Sequence, residues 1–167
     1  MLFGNILVLR LPESASDDVD NPTGSKILWD QGLLNGAPNK LSNLTHYSVG
    51  EAITSVIKST FTIGGPEVIV ASTVYGSIYV FIPFRSKEDY GFFQHLEMFM
   101  RQEQDTLCQR DHMSYRSYYQ PVKSTIDGDL CDRYSALPFA KKREIADDSG
   151  RTPVDIMKRL EEMRNIL

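Results

Sequence analysis

Three side chains that zinc could use as ligands lie in the second half of the chain: Cys108, His112 and Cys131. A fourth ligand would have to come from a distant histidine, either His95 or His46. Structural zinc sites are usually built from closely paired ligands, but this chain has no Cys-x-x-Cys, and an isolated thiol is common in a protein core. We therefore predict no metal site. Two cysteines also fit a reduced, intracellular protein better than a disulfide scaffold.

Two carboxylates flank a glycine in Asp127-Gly128-Asp129 and could hold a hard cation such as Ca²⁺. No glutamate twelve positions further on completes a calcium-binding loop. The pattern more simply predicts a turn followed by a helix start, with Asp129 near the positive end of the helix dipole. One hypothesis for the function is that the chain is a small metal-dependent enzyme. It would require both aspartates to converge with His112 and Cys108.

Sequence motifs for nucleotide binding or nucleophilic catalysis are absent. The chain contains no Gly-x-Gly-x-x-Gly, no phosphate-binding loop and no Gly-x-Ser-x-Gly. The glycines of Gly64-Gly65-Pro66 are predicted to form an ordinary loop. We therefore predict a protein with no catalytic residues and no cofactor.

Arginine and tyrosine side chains cluster in one short segment: Arg110, Tyr115, Arg116, Tyr118 and Tyr119, with Lys123 close by. Such side chains can stack on bases and hold phosphates, and they are equally enriched at protein interfaces. The neighbouring acidic residues Asp105 and Asp111 favour a protein interface or intramolecular packing. Direct RNA binding through Arg110, Tyr115, Arg116 and Tyr118 is a further hypothesis, and we expect such binding to be weak.

The composition excludes several classes of protein. The chain has 167 residues, of which 41% are hydrophobic and 24% charged, with a net charge of −4. The mild acidity gives no electrostatic reason for binding nucleic acid or an anionic membrane. The longest uncharged apolar runs, residues 68–74 and 78–84, are far shorter than the roughly 20 residues that span a bilayer, and we predict no membrane partner.

The first half of the chain has the pattern of short strands. Runs rich in β-branched and aromatic residues occupy residues 6–11, 52–61, 68–75 and 78–84. Gly76-Ser77 separates the last two runs and predicts a hairpin. Residues 13–40 are predicted to form a long loop, whose acidic part is mobile or functional. Its apolar side chains are expected to dock on a surface: Ile27, Leu28, Trp29, Leu33 and Leu34.

The second half has helical periodicity. Residues 88–104 carry a wide apolar stripe of Phe92, Phe93, Leu96, Phe99 and Met100. Ser86 is the expected N-cap, with Asp89 completing a capping box. A final helix begins at Thr152-Pro153, with Asp155 as its capping partner, and it aligns Ile156, Leu160, Met163 and Leu167 on one face. Shorter helices are expected over residues 111–119, 129–134 and 139–146.

Strands followed by helices predict the α+β class. Four or five strands do not close a sheet, and the hairpin series punctuated by glycine is typical of β-propeller blades. Unpaired blade edges invite aggregation. We therefore expect residues 1–84 to be the terminal blades of an incomplete propeller and residues 85–167 to be a helical C-terminal domain. The chain would then be the end of something longer.

Several segments carry a resemblance to known families, and it is strongest in Ser114-Tyr115-Arg116-Ser117-Tyr118-Tyr119 and Ile126-Asp127-Gly128-Asp129-Leu130-Cys131. The first of these segments resembles one family specifically, whereas Ile126-Asp127-Gly128-Asp129-Leu130 resembles a pattern shared across a wider superfamily. Further matching segments are 3–12, 21–24, 28–37, 47–51, 92–98, 121–123 and 151–153. Taken along the chain, these segments resemble the C-terminal part of the splicing factor 3b subunit 3 family in the same order. The wider superfamily includes the large subunits of the UV-damaged-DNA-binding complex and of the cleavage and polyadenylation specificity factor.

The resemblance implies a fold and a role. It implies three seven-bladed propellers followed by a helical domain, of which this chain is a C-terminal fragment. It implies a nuclear, non-enzymatic scaffold in the complex that recognises the branch site, bound to the helical-repeat subunit 1 and the small subunit 5, with indirect or weak RNA contact. Alternatives in the superfamily are a ubiquitin-ligase adaptor and a 3′-end-processing protein. We expect partner binding at Arg110, Tyr115, Arg116, Tyr118, Tyr119, Asp127 and Asp129.

Overall fold

A computed structural model describes residues 4–11, 41–106 and 109–166 and has the predicted α+β class. Its strands are all antiparallel and form two small sheets, and its helices follow in the second half of the chain. The predicted loop over residues 13–40, with its acidic residues and Trp29, lies outside the described residues.

The first sheet pairs β1 (Asn5–Arg10) with β2 (Ser42–Ser48). Ile6 faces Tyr47 across the pair, and the register shifts between Val8 and Leu9. Strand β2 was not predicted, because Ser-Asn-Leu-Thr-His-Tyr-Ser is largely polar and contains no apolar run. Gly4 precedes β1 at a φ of +63°, and a Cβ there would lie 2.0 Å from the carbonyl oxygen of Glu51, so only glycine fits.

The second sheet has the order β3-β4-β5, formed by β3 (Ile53–Ser59), β4 (Val68–Thr73) and β5 (Ile78–Phe81). The central strand β4 carries the buried residues of this sheet, Val68, Ala71 and Thr73. The hairpin predicted at Gly76-Ser77 is present: the amide of Thr73 donates to the carbonyl of Ser77 over 3.0 Å, and Gly76 has a φ of +88°. All the predicted strands exist, and most are shorter than predicted.

The long helix α1 (Lys87–Glu103) begins at the predicted N-cap, where the Ser86 hydroxyl accepts a hydrogen bond from the amide of Glu88 over 3.1 Å. The expected second half of the capping box is missing. Asp89 instead forms an ion pair with Arg159 of the last helix. The carboxylate therefore joins two helices and does not cap its own.

Shorter helices complete the chain: α2 (His112–Tyr115), α3 (Gly128–Asp132), a 3₁₀ helix (Arg133–Ala136), α4 (Phe139–Asp148) and α5 (Pro153–Arg164). Helix α5 has the predicted capping box: the Thr152 hydroxyl accepts from the Asp155 amide, and the Asp155 carboxylate accepts from the Thr152 amide. The helix predicted over residues 111–119 is a single turn, because the chain after Tyr115 extends along β2.

The main hydrophobic core lies among the helices. Its buried members come from α1, α3, the 3₁₀ helix, α4 and α5: Phe92, Phe93, Leu96, Met100, Leu130, Cys131, Tyr134, Ile145, Ala146, Ile156 and Leu160. The stripe predicted for α1 is confirmed except that Phe99 is only partly buried. No helix in the described part of the chain is both long enough and apolar enough to cross a bilayer.

Candidate functional site

The arginine- and tyrosine-rich segment returns to the first sheet and pairs with β2. The amide of Ser48 donates to the carbonyl of Arg116 over 2.9 Å. His46 and Lys123 exchange two backbone hydrogen bonds of 3.0 and 3.1 Å, and the His46 ring bonds the carbonyl of Pro121 over 3.0 Å. Residues 116–123 therefore serve as an edge for β2, and we call them the strap.

Arg116 links the strap, β2 and α3. Its Nε donates to the Tyr47 hydroxyl over 2.8 Å, and its guanidinium forms an ion pair with Asp127. Burial raises the pKa of Tyr47, and the positive charge of Arg116 partly offsets that rise. Arg116 therefore brings together residues far apart in sequence. We call Tyr47, Arg116 and Asp127 the Arg116 junction.

Asp127 holds the other end of the junction. It is 5% exposed and is the N-cap of α3, where its Oδ1 accepts from the amide of Leu130 over 3.2 Å. The prediction that Asp127-Gly128-Asp129 forms a turn and a helix start is thus confirmed. The backbone amide of Asp127 donates to Oε1 of Glu97, a carboxylate on α1 that is 3% exposed.

Glu97 is a buried charge that the sequence analysis missed. Burial raises the pKa of its carboxyl group, and Arg101, 3.7 Å away, opposes that rise. The sequence does indicate such a site, because Glu97 is an acidic residue beside the apolar stripe of α1, and a buried carboxylate needs partners. Tyr47 is harder to identify as a site residue from the sequence, because it lies in β2, a strand that was not predicted.

Asp129 differs from Asp127 although it lies only two positions away. It is exposed, and it forms no side-chain hydrogen bond or ion pair with another described residue. It lies beside a cavity of about 240 Å³, whose walls include Tyr47, Tyr79, Tyr115 and Arg116. Burial, together with the negative charge of Glu51, raises the pKa of Tyr79.

The other predicted site residues lie on the surface. The Arg110 guanidinium lies 5.9 Å from the centre of the Tyr115 ring, and Tyr115 is 41% exposed. Tyr118 and Tyr119 pack edge to face with ring centres 4.4 Å apart, and Tyr119 is 87% exposed. A side-chain hydrogen bond with Tyr119 raises the pKa of Tyr118. The predicted residues thus divide into an exposed set and the partly buried pair Arg116–Asp127.

The residues considered for zinc occupy separate places. His112 uses its Nε2 to bond the carbonyl of Gln104 over 2.7 Å. Burial raises the pKa of Cys131 to about 12, so its thiol stays protonated in the helical core. Cys108 lies outside the described residues. Within the described ranges, no three histidine, cysteine, aspartate or glutamate side chains come together as a metal site would require.

Comparison with known proteins gives the family. The family model for the CPSF A subunit region matches residues 2–136. The chain belongs to this CPSF A family. The match covers both sheets, the strap, the Arg116 junction and α3, whereas α4 and α5 lie beyond it.

Within the CPSF A family, the chain is similar to splicing proteins. It is 53% identical over 163 residues to Splicing factor 3B subunit 3 of Drosophila melanogaster, and 50% identical over 163 residues to the protein of that name from Danio rerio. It is 50% identical over 164 residues to Spliceosome-associated protein 130 A of Arabidopsis thaliana. These alignments cover 97–98% of the chain and only 13–14% of each relative. The resemblance stated from the sequence is therefore confirmed.

Proposed function

We propose that the chain is a non-enzymatic scaffold segment of the spliceosomal complex that recognises the branch site. The observation that carries this proposal is the 53% identity, over 97% of the chain, to Splicing factor 3B subunit 3. The chemistry of the described residues supports it. Arg116, Asp127 and Glu97 form ion pairs and hydrogen bonds with one another and with neighbouring elements. Such contacts hold structural elements together, and they differ from an acid–base pair that faces a substrate pocket.

The proposed architecture follows the family. Strands β1 and β2 belong to one propeller blade, β3, β4 and β5 belong to the next, and residues 85–167 form the helical C-terminal domain. Contacts between the two sheets support neighbouring blades: the Tyr47 and Phe81 rings lie 5.5 Å apart, and the Tyr79 hydroxyl donates to the carbonyl of Val49. Glu51, between the sheets, accepts hydrogen bonds from the hydroxyls of Thr73 and Ser77.

The proposed partners are protein subunits of the splicing factor 3b complex, namely the helical-repeat subunit 1 and the small subunit 5, in the nucleus. The exposed side chains suited to contact them are Arg110, Tyr115, Tyr118, Tyr119 and Asp129. Arg116 and Asp127 would act indirectly, because their ion pair fixes the strap on which those side chains are displayed. RNA contact would be indirect or weak, given the net charge of −4.

Affinity capture tests this function. The full 167-residue chain, tagged and added to nuclear extract, is expected to recover subunits of the splicing factor 3b complex in quantitative mass spectrometry. Recovery of a cullin would instead support the ubiquitin-ligase adaptor, and recovery of polyadenylation factors would support the 3′-end-processing relative. If the folded chain recovers none of the splicing factor 3b subunits above the level of a tag-only control, the proposal is wrong.

A further inference from the structure

The cavity beside Asp129 is small and lies where three parts of the molecule meet. The end of β2 forms one side, Tyr79 of β5 a second, and Tyr115 with Arg116 a third. Its volume of about 240 Å³ is below the roughly 300–1,000 Å³ of pockets that take small-molecule ligands. A space of this size suits a single side chain delivered from outside.

The charges around the cavity favour a cation. The positive charge of Arg116 is already neutralised by Asp127, and its Nε is bonded to the Tyr47 hydroxyl. Asp129 adds a negative charge that no described side chain pairs. The negative charge of Glu51 adds to the effect of burial in raising the pKa of Tyr79. Among the side chains that line the cavity, Asp129 is therefore the one whose charge no other described side chain neutralises.

The walls of the cavity are of the kind that binds a guanidinium. Tyrosine faces attract cations within about 6 Å of the ring centre, and a guanidinium stacks on such a ring better than a lysine ammonium does. The molecule already contains this contact twice, since Arg116 lies 5.9 Å from the centre of the Tyr47 ring and Arg110 lies 5.9 Å from that of Tyr115. Asp129 lines the same cavity as Tyr47 and Tyr79. Burial is the main reason that the pKa of both tyrosines is raised, and the negative charge of Asp129 adds to that rise.

We propose that this cavity receives an arginine side chain that projects from a protein partner, with its guanidinium against the tyrosine rings and paired with the Asp129 carboxylate. The inference rests on the proposed scaffold function, because it names the chemistry by which one partner docks. Arginine is the residue type that gives both a stacked face and a two-pronged contact with a carboxylate. Hot-spot contacts in protein interfaces commonly have this composition.

Peptide titration tests the cavity directly. The full chain, carrying ¹³C-labelled tyrosine, is titrated with acetyl-Gly-Arg-Gly-amide while the ring signals of Tyr47 and Tyr79 are followed by NMR. Saturable shifts of both rings are expected. The same peptide with citrulline, which keeps the shape and removes the charge, is expected to produce little change. Equal shifts with citrulline, larger shifts with a Gly-Glu-Gly peptide, or no shifts with arginine would overturn the inference.

Matched variants assign the binding to one carboxylate. Asp129→Asn keeps the size of the side chain and removes its charge, and it is expected to weaken binding of the arginine peptide roughly tenfold. Asp148→Asn makes the same change at an exposed position on α4 and is expected to leave binding unchanged. Equal weakening in both variants would show a general charge effect and would contradict a site at Asp129.

Affinity capture separates failure of the inference from failure of the proposed function. If the wild-type chain recovers splicing factor 3b subunits and Asp129→Asn recovers less, both stand. Equal recovery by both chains would contradict the inference and leave the proposed function intact. If the wild-type chain recovers none, the proposed function fails, while the peptide titration still decides whether the cavity binds arginine.

Discussion

The helical core and the three-stranded sheet bury their apolar side chains to very different extents. In α1, Phe93 is 5% exposed and Met100 is fully buried, and both belong to a core to which four other elements contribute. In β3, no residue is fully buried, and Val56 and Ile57 are each 55% exposed. Removal of apolar area from water is the main source of folding free energy, about 25 cal/mol per Å². The helical core therefore carries its own stability, whereas the sheet depends on neighbours.

The Arg116 junction couples these two regions by a different kind of interaction. The strap bonds β2 through backbone amides, and Arg116 ties that strand to the N-terminus of α3 through Asp127. A partly buried ion pair of this kind is costly to break on one side, because the partner keeps an uncompensated charge. Three regions of the molecule thus differ in what stabilises them: an apolar helical core, the polar Arg116 junction and an open sheet.

Truncation of a core residue should have the largest effect. Phe93→Ala is expected to lower the free energy of unfolding by about 3–5 kcal/mol, because it leaves a cavity in the helical core. Chemical denaturation followed by circular dichroism at the helical wavelength measures the loss. Phe139→Ala is the control, since Phe139 is 72% exposed and its loss should cost less than about 0.5 kcal/mol. Similar costs for both variants would remove the contrast between core and surface.

Breaking the Arg116 junction should come next. Arg116→Ala is expected to cost about 3 kcal/mol, since it leaves Asp127 buried without its partner. The amides of His46 and Ser48, which bond the strap, should then exchange hydrogen with solvent faster than in the wild type. Lys158→Ala is a control on an exposed pair with Glu162, and such pairs contribute little. Unchanged exchange at His46 and Ser48 would mean that the strap stays in place without Arg116.

Glu97 should give a smaller effect that depends on pH. Burial raises its pKa in the folded state, so the folded protein binds a proton more tightly than the unfolded chain does. The favourable contribution is therefore present below the unfolded pKa and is lost as the pH rises through the folded one. Glu97→Gln, which keeps an oxygen for the Asp127 amide, should gain stability relative to wild type as the pH rises above the ordinary glutamate pKa of 4.5. A difference that is flat or opposite across this range would contradict the sign.

The smallest effect on the folded monomer is expected at the open sheet. Ile57→Lys places a charge on an edge strand that is already exposed, so the free energy of unfolding should change by less than about 0.5 kcal/mol. Self-association should nevertheless fall, because a charged edge resists strand pairing. Sedimentation velocity at several concentrations measures this association. A wild-type chain that stays monomeric at every concentration would contradict the account of the sheet.

The helices were the most predictable part of the fold. Ser86, Thr152 and Asp155 cap their helices as expected, since capping depends on side chains within three residues. The long apolar stripe of α1 likewise follows from its spacing. Phe92 shows the limit of that reasoning, because its ring also lies beneath the guanidinium groups of Arg151 and Arg159, and no local pattern indicates such a contact.

The candidate site was only half predictable. Residue type alone identified Arg116 and Asp127 as notable, and their pairing followed from neither type nor spacing. Tyr47 lies 69 positions before Arg116, and β2 lacks the apolar alternation by which strands are recognised. The cavity beside Asp129 exists because two sheets and a short helix meet there. Sequence therefore identified the residues, and the tertiary structure determined which are buried and which are displayed.

Native-state hydrogen exchange of the wild-type chain tests the central contrast most directly. The amides of α1 and α5 are expected to exchange only through global unfolding, whereas those of β3 and β5 should exchange through local opening at far lower free energy. The amides of His46 and Ser48 should lie between these extremes, because the Arg116 junction holds β2 to the helices. Uniform protection across both sheets and all helices, with a single sharp two-state melt of a monomer, would contradict the account.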